Sequence, residues 1–583
     1  MNRYRWIETP AAGADDARAL ARALEIPHAG ARLLVARGMT DPDAARRFLA
    51  PSPRDVHDPF LFAHMEEAVG RVRAALASGK PILIHGDYDV DGISGTALLF
   101  RYLDGQGPEV LRFVPDRRKD GYGVADRAVD WAIEKQVGLV IAVDCGTSDV
   151  ERIERLQNAG IDAVVCDHHA FRSDGRHAGV MLNPVRPGEG YPFGGLCGAG
   201  VAHKLVQALH ARGVHGNCAP EELLDLVALA TVGDMAPLEG ENRYVVRAGL
   251  EQMNRAPRAG IAALRGEARI GPRSLTARHL SFAIAPRINA PGRVTRPKPA
   301  LEILCEDRTE RARALARQLD LDNEHRRSLT RAVEEDAVTR IRAMTDRDEA
   351  GAFVLASPEW DEGVLGIAAT RVVEEFGRPT ILMSISGDVA KGSGRSIAGV
   401  NLKEQLDRFA PLFDRYGGHA QAVGLTMRAD RVAGFGREMA ETLRAFVPAY
   451  TGLPLAIDAE IGVDECTDEL LNFLARCEPF GQGNREPVWK ITDVQVMPTT
   501  TLLGSRNADG RSHLKLFFQD GRGVPGQAIA FGWDRPQTPE DLHGRAMDIA
   551  VRVVPGEYRG RVYAELRLLD LRQPGGPGGG GGS

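Results

Sequence analysis

Continuous apolar runs that end in acidic residues or histidines recur through the first half of the chain. They read ILIHGDYDVDG at residues 82–92, GLVIAVDCG at 138–146 and IDAVVCDHH at 161–169. Such runs are typical of strands that are buried on both faces, as in parallel α/β sheets. Helix-like patterns at 93–103, 125–136 and 150–159 separate them. Strand, helix and strand in succession predict right-handed crossovers and a parallel sheet.

The polar residues that end these runs are candidates for chemistry, because open α/β sheets place their sites at the carboxyl ends of the strands. A fourth segment, LLDLVALATVGDMAPL at 223–238, predicts an apolar helix that ends near Gly233 and is followed by Asp234. Alone, each segment could be an Asx-rich turn, a helix cap or a surface histidine pair. Together they predict one shared site.

A ring of carboxylates and imidazoles requires positive charge at its centre, because closely spaced carboxylates repel one another. Asp and His ligands without thiolates favour Mn²⁺ or Mg²⁺ over structural zinc. The number of ligands exceeds what one ion needs, so we expect two ions that share a carboxylate. Ions about 3.5–4 Å apart can activate water and stabilise the departing oxygen of a phosphoester.

The second half of the chain predicts a smaller α/β unit and then a β-barrel. GAFVLAS at 351–357 is typical of a strand, and VLGIAATRVVEEFG at 364–377 of a helix capped by Gly377. Glycines around Arg395 and His419 would let backbone N–H groups approach an anion. From 489 to 571 five alternating segments predict a small barrel, for which an OB-fold is the natural candidate. Its aromatic residues include Phe517, Phe518, Phe531 and Trp533, and for most of these four we expect core packing.

Composition and pattern divide the chain into successive parts. They are a helical lead-in at 1–60, a metal-bearing α/β domain at 61–299, connecting helices at 300–346, a smaller α/β domain at 347–454, a barrel at 455–572 and a glycine-rich tail at 573–583 that we expect to be disordered.

Charge and cysteine content narrow the function. The net charge of −6 and the pI of about 6.2 do not indicate nucleic-acid binding by themselves. Residues 242–298, however, carry eleven Arg and one Lys against two Glu, which favours a phosphate-tracking channel over a solvated basic face. Seven scattered cysteines without a C-x-x-C pair, no signal peptide and no long apolar run predict a cytoplasmic protein outside any membrane.

The motifs HGDYDVDG, VDCG, DHH and VGD, in this order, resemble those of the DHH phosphoesterase superfamily. Further segments, and nearly the whole chain, are similar to the RecJ family within it: PDRRKDGYG at 115–123, APRINAPGR at 285–293, GSGRS at 392–396, GGHAQAVGL at 417–425 and EPFGQGNREPVW at 478–489. The resemblance implies a DHH domain with a parallel sheet, a smaller α/β DHHA1 domain joined to it by a long helix, and a C-terminal OB-fold.

The resemblance also implies residue roles. The implied metal ligands are His85, Asp89, Asp91, Asp144, His168 and Asp234. His169 would face the scissile phosphate, Asp144 would bridge the ions, and Asp87 would act in catalysis or by orienting His85, as Asp167 would orient its neighbours. The implied nucleic-acid contacts are Arg117, Arg287, Asn289, Arg293, Ser393, Arg395, Gly418 and His419. One position departs from the family pattern, which often has histidine where Asp361 follows Trp360.

By resemblance, the chain would be a monomeric 5′→3′ exonuclease that hydrolyses single-stranded DNA to 5′-mononucleotides with two divalent cations, Mn²⁺ or Mg²⁺, in recombination and repair. Its partners would be a single-stranded-DNA-binding protein and a RecQ-type helicase. Two alternatives remain open. One is another phosphoesterase of the superfamily, such as a nanoRNase or a phosphatase acting on 3′-phosphoadenosine 5′-phosphate. The other is a non-catalytic DNA-binding scaffold.

Overall fold

The computed structural model describes residues 4–9, 13–171, 175–271, 274–449, 453–504, 512–533, 535 and 537–575. Most of the glycine-rich tail, from residue 576 onward, lies outside these residues. The chain divides into two compact units. One comprises Pro53–Val447 with Pro479–Asn484, and the other comprises Met1–Ser52, Pro448–Glu478 and Arg485–Ser583. Among the residues that the structure describes, no helix has both the length and the apolar character needed to cross a membrane.

A parallel sheet forms the centre of what we call the first α/β domain (residues 53–305). Its strands lie in the order Val110–Phe113, Ile82–Gly86, Leu139–Val143, Asp162–Cys166 and Val180–Leu182, and all of these neighbours pair in parallel. Three of these strands are the apolar runs read from the sequence, and the predicted parallel sheet is confirmed. Ile82 and Ile84 pack into the core on one face, and Leu83 packs into the core on the other.

Helices cover both faces of this sheet. Their bounds are Met65–Ser78, Val90–Leu103, Asp126–Glu134, Val150–Asn158, Gly198–Ala211, Leu224–Gly233, Gly240–Arg255, Ala259–Glu267, Ala277–His279, Ala285–Asn289, Pro291–Val294 and Lys298–Cys305, with a π-helix at Leu280–Ile284 and 3₁₀ turns at Pro53–Asp55, Pro59–Leu61 and Pro220–Leu223. A predicted crossover helix follows each of the strands Ile82–Gly86 and Leu139–Val143. The carboxyl ends of the parallel strands therefore lie at one edge of the sheet.

One long helix, Thr309–Arg342, connects the first α/β domain to the next and confirms the expected long joining helix. Its Leu319 packs into the core of the first domain, whereas Val333 and Ile341 pack into the core that follows. The two halves of one rigid element therefore belong to different cores.

The second α/β domain (residues 350–447) contains a mixed sheet. Its strands lie in the order Phe413–His419, Ala422–Arg428, Val389–Arg395, Thr380–Ser386 and Phe353–Ser357. The last two pair in parallel and the others antiparallel. Its helices are Leu365–Phe376, Leu402–Asp407 and Val432–Thr442, with 3₁₀ turns at Glu362–Val364, Ala410–Leu412, Ala429–Arg431 and Arg444–Ala449. Gly377 ends the first helix with a φ of 63°, as predicted.

The other unit is a β-barrel with helices from both ends of the chain. Its sheet runs Ala459–Glu460, Trp489–Val496, Ala546–Tyr558, Arg561–Arg572, Pro525–Trp533, Ser512–Gln519 and Thr501–Leu503, and a pairing of Trp489–Val496 with Ser512–Gln519 closes it. The helices are Ala14–Leu24, His28–Ala36, Pro42–Leu49, Asp468–Cys477 and Pro539–Leu542, with a 3₁₀ turn at Val463–Glu465. The strand Tyr4–Glu8, which pairs with Leu453–Ile457, was not predicted in the helical lead-in.

Candidate metal centre

Acidic and histidine side chains from separate segments meet at the carboxyl edge of the parallel sheet. Among the described residues, their ligand atoms lie within 4.8 Å of one another in three overlapping groups: Asp87 with Asp89 and Asp144; Asp91 with His168 and Asp234; and Asp144 with Asp167, His168 and His169. Asp144 and His168 each belong to two groups. The arrangement therefore provides two neighbouring pockets that share ligands.

The loop after the strand Ile82–Gly86 is held by the start of the helix Val90–Leu103. The helix Val90–Leu103 begins at Asp89, whose side chain accepts the backbone N–H groups of Asp91 and Gly92 at 3.0 and 3.3 Å. A Cβ atom at Gly92 would lie 2.3 Å from the backbone nitrogen of Asp87. Glycine at this position therefore lets the helix approach the loop that presents Asp87 and Asp89.

The carboxylate of Asp91 is fixed by the N-terminus of a second helix. Its Oδ2 accepts the N–H of Gly198 at 2.6 Å, and its Oδ1 accepts the N–H of Ala199 at 2.8 Å. The same Oδ2 lies 3.7 Å from Nε2 of His168. Charge on Asp91 is favoured at the positive end of the helix Gly198–Ala211. The contribution of Gly198 could not be read from the sequence, because a backbone N–H group carries no side-chain signal.

Asp144 lies at the middle of the site. Its backbone has a φ of 61°, a left-handed conformation that is uncommon for residues other than glycine. Its Oδ1 lies 3.1 Å from Nε2 of His168, and Nε2 of His168 lies 3.8 Å from Oδ2 of Asp234. The unusual backbone and the central position of the carboxylate agree with storage of strain at a functional site.

Asp167 holds the histidine pair in place. Its Oδ1 accepts the backbone N–H groups of His168 and His169 at 2.8 and 3.2 Å, and Nδ1 of His169 donates to the same atom at 2.8 Å. Its Oδ2 accepts the N–H of Thr147 at 3.0 Å. These bonds engage both oxygens of Asp167 with N–H donors of the protein, although Asp167 also belongs to the ligand group with Asp144, His168 and His169. Its expected role in orienting the histidines stays a prediction.

Two further residues contact the histidine pair and were missed. The hydroxyl of Tyr122 lies 3.0 Å from Nδ1 of His169. The side-chain amide of Asn183 donates to Oγ1 of Thr147 at 3.0 Å and to the backbone oxygen of His169 at 2.9 Å. Tyr122 belongs to the PDRRKDGYG segment, but no spacing along the chain indicates that this segment reaches His169.

Burial and mutual repulsion make the site an unfavourable place for anions. Burial raises the pKa values of Asp87 and Asp144 well above the ordinary range, and neighbouring carboxylates add to the effect. Burial, then Asp91 and Asp89, raise the pKa of Asp234 from 3.8 to about 8. Burial alone would lower the pKa of His169, but its bond to Asp167 and the surrounding carboxylates raise it to about 9.

These observations fit bound divalent cations. Oδ1 of Asp87 is buried, and no hydrogen-bond donor reaches it within the described part of the chain. A buried acceptor without a donor, surrounded by carboxylates, is satisfied by a cation. The donors are carboxylate oxygens and an imidazole, without thiolates, which suits Mn²⁺ or Mg²⁺.

His85 lies outside the three ligand groups found among the described residues, and its role as a metal ligand stays a prediction that this geometry does not support. Its Nε2 already accepts the backbone N–H of Ala125 at 3.1 Å, and its Nδ1 lies 3.6 Å from Sγ of Cys145. Complete burial lowers its pKa to about 4, so the ring is neutral. Asp87 lies with Asp89 and Asp144 in one ligand group, which makes it a candidate ligand, and its expected roles in catalysis or in orienting His85 stay predictions.

A cleft of about 640 Å³ lies between the first and second α/β domains. Among the residues that line it are Arg117, Tyr122, Lys391, Ser393, Gly418 and Thr426. Of the predicted phosphate contacts, Arg117, Ser393 and Gly418 therefore share one cavity. Arg395 supports it from behind, because its guanidinium donates to Oγ of Ser393 at 3.2 Å. His419 is exposed and does not line this cleft.

Other predicted nucleic-acid contacts have partners inside the protein. Arg287 forms an ion pair with Asp320 at 2.6 Å, which occupies the guanidinium expected to bind phosphate. Oδ1 of Asn289 accepts the N–H of Val90 at 2.7 Å and so supports the helix that carries the metal loop. Arg293 lies near Asp89, and burial together with nearby arginines lowers its pKa to about 10.

Three arginines of the basic stretch at 242–298 are held inside the domain, so a continuous basic channel along the whole stretch stays a prediction. Arg243 is buried, and Arg258 pairs with Asp225 at 2.5 Å. Arg287 is also paired. These arginines stabilise contacts within the domain, which net charge along a sequence cannot distinguish from an exposed basic face.

Comparisons with known proteins agree with this architecture. The sequence matches the DHH family, N-terminal domain, over residues 81–231, the DHHA1 domain over 349–445 and the RecJ OB domain over 457–570. It is 30% identical to the single-stranded-DNA-specific exonuclease RecJ of Bacillus subtilis (strain 168), over 98% of this chain and 71% of that protein. It is 33% identical to the RecJ of Dickeya dadantii (strain 3937), over 93% of this chain and 95% of that one.

Solved structures give the same result. The structure resembles RecJ from Thermus thermophilus in complex with Mn²⁺, with a TM-score of 0.82, 28% identity and coverage of 100% of this chain and 81% of that one. The TM-score with the Mg²⁺ complex from the same organism is 0.77, at 27% identity and coverage of 98% and 79%. Fold and domain content are therefore shared along the chain.

Proposed function

The chain belongs to the RecJ family of single-stranded-DNA-specific exonucleases, and from this we propose that it hydrolyses single-stranded DNA from the 5′ end to 5′-mononucleotides. One observation carries the proposal for this chain: ligand atoms from four segments that are distant in sequence lie within 4.8 Å of their neighbours at one sheet edge. Such convergence has no structural purpose without a cation, because the carboxylates repel one another.

We assign two adjoining ion sites. Asp87, Asp89 and Asp144 would hold one Mn²⁺ or Mg²⁺, and Asp91, His168 and Asp234 would hold the other, with Asp144 between them. When bound, such ions activate water and stabilise charge on a phosphoester. Backbone N–H groups hold two of these ligands in place: that of Asp91 donates to Asp89, and that of Gly198 donates to Asp91.

His169 would act on the reacting phosphate. Its bond from Nδ1 to Asp167 fixes the orientation of the ring and favours a protonated imidazole at neutral pH. A charged donor held at this edge can bond to a phosphate oxygen as negative charge develops on it. Tyr122, 3.0 Å from Nδ1 of His169, would restrain the ring from the cleft side.

The cleft supports recognition of a strand end. Arg117 and Arg415 bring positive charge to it, Lys391 pairs there with Glu362 at 3.2 Å, and Ser393 offers a hydroxyl group. A terminal 5′-phosphate presents more oxygen acceptors than an internal phosphodiester, so this lining favours an end. The RecJ resemblance implies attack from the 5′ end, and a lining that favours a terminal phosphate supports the proposed 5′→3′ direction.

The alternatives are less well supported. A nanoRNase or a phosphatase acting on 3′-phosphoadenosine 5′-phosphate needs no barrel for a long strand, whereas the match to the RecJ OB domain covers 457–570. A non-catalytic scaffold would not need the buried, unbonded carboxylate oxygen of Asp87. We further propose a cytoplasmic monomer that acts in recombination and repair with a single-stranded-DNA-binding protein and a RecQ-type helicase.

The test uses internally labelled 5′-phosphorylated strands, blocked at the 5′ or the 3′ end by phosphorothioates, with Mn²⁺ or with a chelator. With Mn²⁺, and not with the chelator, the 3′-blocked single strand should yield mononucleotides. Blunt duplex and 5′-blocked DNA should not be degraded. Asp144→Asn should abolish the activity. Asp162→Asn is the matched control, because Asp162 begins the neighbouring strand at the opposite edge and pairs with Arg71. Equal activity of the Asp144 variant would contradict the proposal.

A further inference from the structure

An ion pair joins the two α/β domains beside the cleft. Nη2 of Arg118 lies 3.1 and 2.9 Å from the two carboxylate oxygens of Asp361. The same Nη2 donates to the backbone oxygen of Arg293 at 3.2 Å. Oδ1 of Asp361 also accepts the N–H of Gly363 at 2.8 Å, so the carboxylate is anchored in its own turn. One guanidinium thus connects three segments.

Arg118 belongs to the loop at residues 115–123, which carries two residues of the site. Arg117 lines the cleft, and its guanidinium lies over the ring of Tyr88 at 5.4 Å. Tyr122 lies 3.0 Å from Nδ1 of His169. A shift of this loop would therefore move Arg117 in the cleft between the two α/β domains and Tyr122 beside His169.

The other contacts of the loop lie within the first α/β domain. Oδ2 of Asp120 accepts the N–H of Asp116 at 2.7 Å, and Arg127 pairs with Asp120 at 2.7 Å. A Cβ atom at Gly123 would lie 2.6 Å from Oδ1 of Asp149, so the end of the loop is also packed tightly. These contacts fix its base, whereas Arg118 reaches across to the second domain.

The approach of the two domains at this point is close. A Cβ atom at Gly363 would lie 2.3 Å from the backbone oxygen of Arg293. The guanidinium of Arg293 lies 3.4 Å from the backbone oxygen of Gly363. Asp361 therefore stands where the turn of the second domain meets the segment that follows Asn289.

We propose that Asp361 and Arg118 form a clamp that positions the loop at residues 115–123, and that Asp361 is a positioning residue for binding of the single-stranded substrate. The inference rests on the proposed nuclease function. Asp361 does not line the cleft, so it acts through Arg118 and its neighbours Arg117 and Tyr122.

The ion pair between Arg118 and Asp361 is weak enough to break and re-form. The side chains of Arg118 and Asp361 are 50% and 27% exposed, so water and salt screen their attraction. Exposed pairs of this kind change an equilibrium by about two- to fivefold. Breaking the clamp should therefore raise KM by about that factor and lower kcat by no more than the same factor, because the metal ligands are not touched and the loop reaches His169 only through Tyr122.

Asp361→Asn is the informative substitution, because asparagine keeps the N-cap acceptor for Gly363 and removes the charge. Glu375→Gln is the matched control. It breaks the pair of Arg342 with Glu375, 2.7 Å long, which joins the long helix to the second domain away from the loop.

The first measurement is hydrogen exchange of the peptide that covers residues 115–123, without substrate. Asp361→Asn should accelerate exchange there, and Glu375→Gln should not. Unchanged exchange in Asp361→Asn would overturn the clamp whether or not the protein is a nuclease, because no substrate is involved.

The second measurement is steady-state digestion of a 5′-phosphorylated single strand across salt concentrations. The KM ratio of Asp361→Asn to wild type should be about two to five at low salt and should fall towards one as salt screens the pair. In a double-mutant cycle, Arg118→Gln and Asp361→Asn should be non-additive. Additive effects, or a loss of kcat alone, would refute the inference, while an inactive wild type would refute the proposed function instead.

Discussion

Oδ1 of Asp167 lies 2.8 Å from Nδ1 of His169 and also accepts the backbone N–H groups of both histidines. In Asp167→Asn, one carboxylate oxygen becomes an NH₂ group, which cannot accept a hydrogen bond. It would face either the N–H groups of the two histidines or the N–H of Thr147. We therefore expect Asp167→Asn to lower kcat by about 10–100-fold, as loss of an orienting partner typically does. The pKa of His169, which Asp167 helps to raise to about 9, should fall. The alkaline limb of the pH–rate profile should then move to lower pH.

The control for this prediction is metal affinity. Asp167 belongs to the ligand group with Asp144, His168 and His169 but to neither proposed ion site, and its oxygens already accept N–H groups of the protein. Mn²⁺ binding measured by calorimetry should therefore change little in Asp167→Asn. A variant that lost Mn²⁺ binding together with turnover would show that Asp167 is itself a ligand.

Stability without metal should depend on pH. Burial raises the pKa of Asp234 to about 8, and those of Asp87 and Asp144 also rise. A carboxyl whose pKa is raised on folding favours the folded state while it is protonated, and this advantage is lost as pH rises from about 4 through about 8. Mn²⁺ replaces the protons and restores stability. The difference in Tm between Mn²⁺-loaded and chelator-treated protein should therefore widen as pH rises.

Scanning calorimetry at about pH 5 and about pH 8 checks this expectation. Mn²⁺ titrations in two buffers of different ionisation enthalpy should also reveal proton release on binding. A Tm difference that stays constant across this pH range would mean that the carboxylates are already ionised in the metal-free protein.

The sequence predicted the framework of the site better than its details. Continuous apolar runs identify buried parallel strands, and parallel strands share an edge, so the meeting of Asp89, Asp144 and His168 followed from pattern and topology. His85 could not be separated from these ligands, because the sequence does not reveal that the N–H of Ala125 occupies its Nε2.

Contacts between residues that are far apart in the chain could not be predicted from the sequence. Arg287 looked like a phosphate contact until the long helix brought Asp320 beside it. Tyr122 and Asn183 approach His169 from separate loops. The strand Tyr4–Glu8 pairs with a segment more than 400 residues away, and no local propensity carries that information.

Gly92 should be intolerant of a side chain. A Cβ atom there would lie 2.3 Å from the backbone nitrogen of Asp87, and a backbone atom cannot move aside as a side chain can. We expect Gly92→Ala to lower stability by about 1–3 kcal/mol and to weaken Mn²⁺ binding by displacing Asp87. Gly70→Ala is the matched control. Gly70 lies in the helix Met65–Ser78 with nothing within 4 Å, so alanine should be neutral or stabilise by up to about 1 kcal/mol. Similar Tm values for the two variants would contradict the packing argument.

Arg117 and Arg287 should behave differently although both were candidates for phosphate contact. Arg117 lines the cleft, so Arg117→Gln should weaken binding of single-stranded DNA and lower the salt slope of the affinity by about one unit. Arg287 is bound to Asp320, so Arg287→Gln should lower stability by about 1–3 kcal/mol and leave the salt slope unchanged. Fluorescence anisotropy at several salt concentrations and thermal unfolding separate the two outcomes. A reduced salt slope in Arg287→Gln would place this arginine on the DNA after all.

The barrel offers an aromatic ring for a nucleic-acid base. Phe531 is 60% exposed, its ring centre lies 5.1 Å from that of His513, and the guanidinium of Arg567 lies 5.6 Å from it. Phe518 is buried, so the predicted core packing holds for Phe518 and fails for Phe531. Stacking on an exposed ring is worth about 1–3 kcal/mol per base. Phe531→Ala should therefore weaken binding of single-stranded DNA by that amount without lowering Tm. Leu502→Ala, an exposed apolar position on the same sheet, should leave affinity unchanged, and equal losses in the two variants would argue against stacking at Phe531.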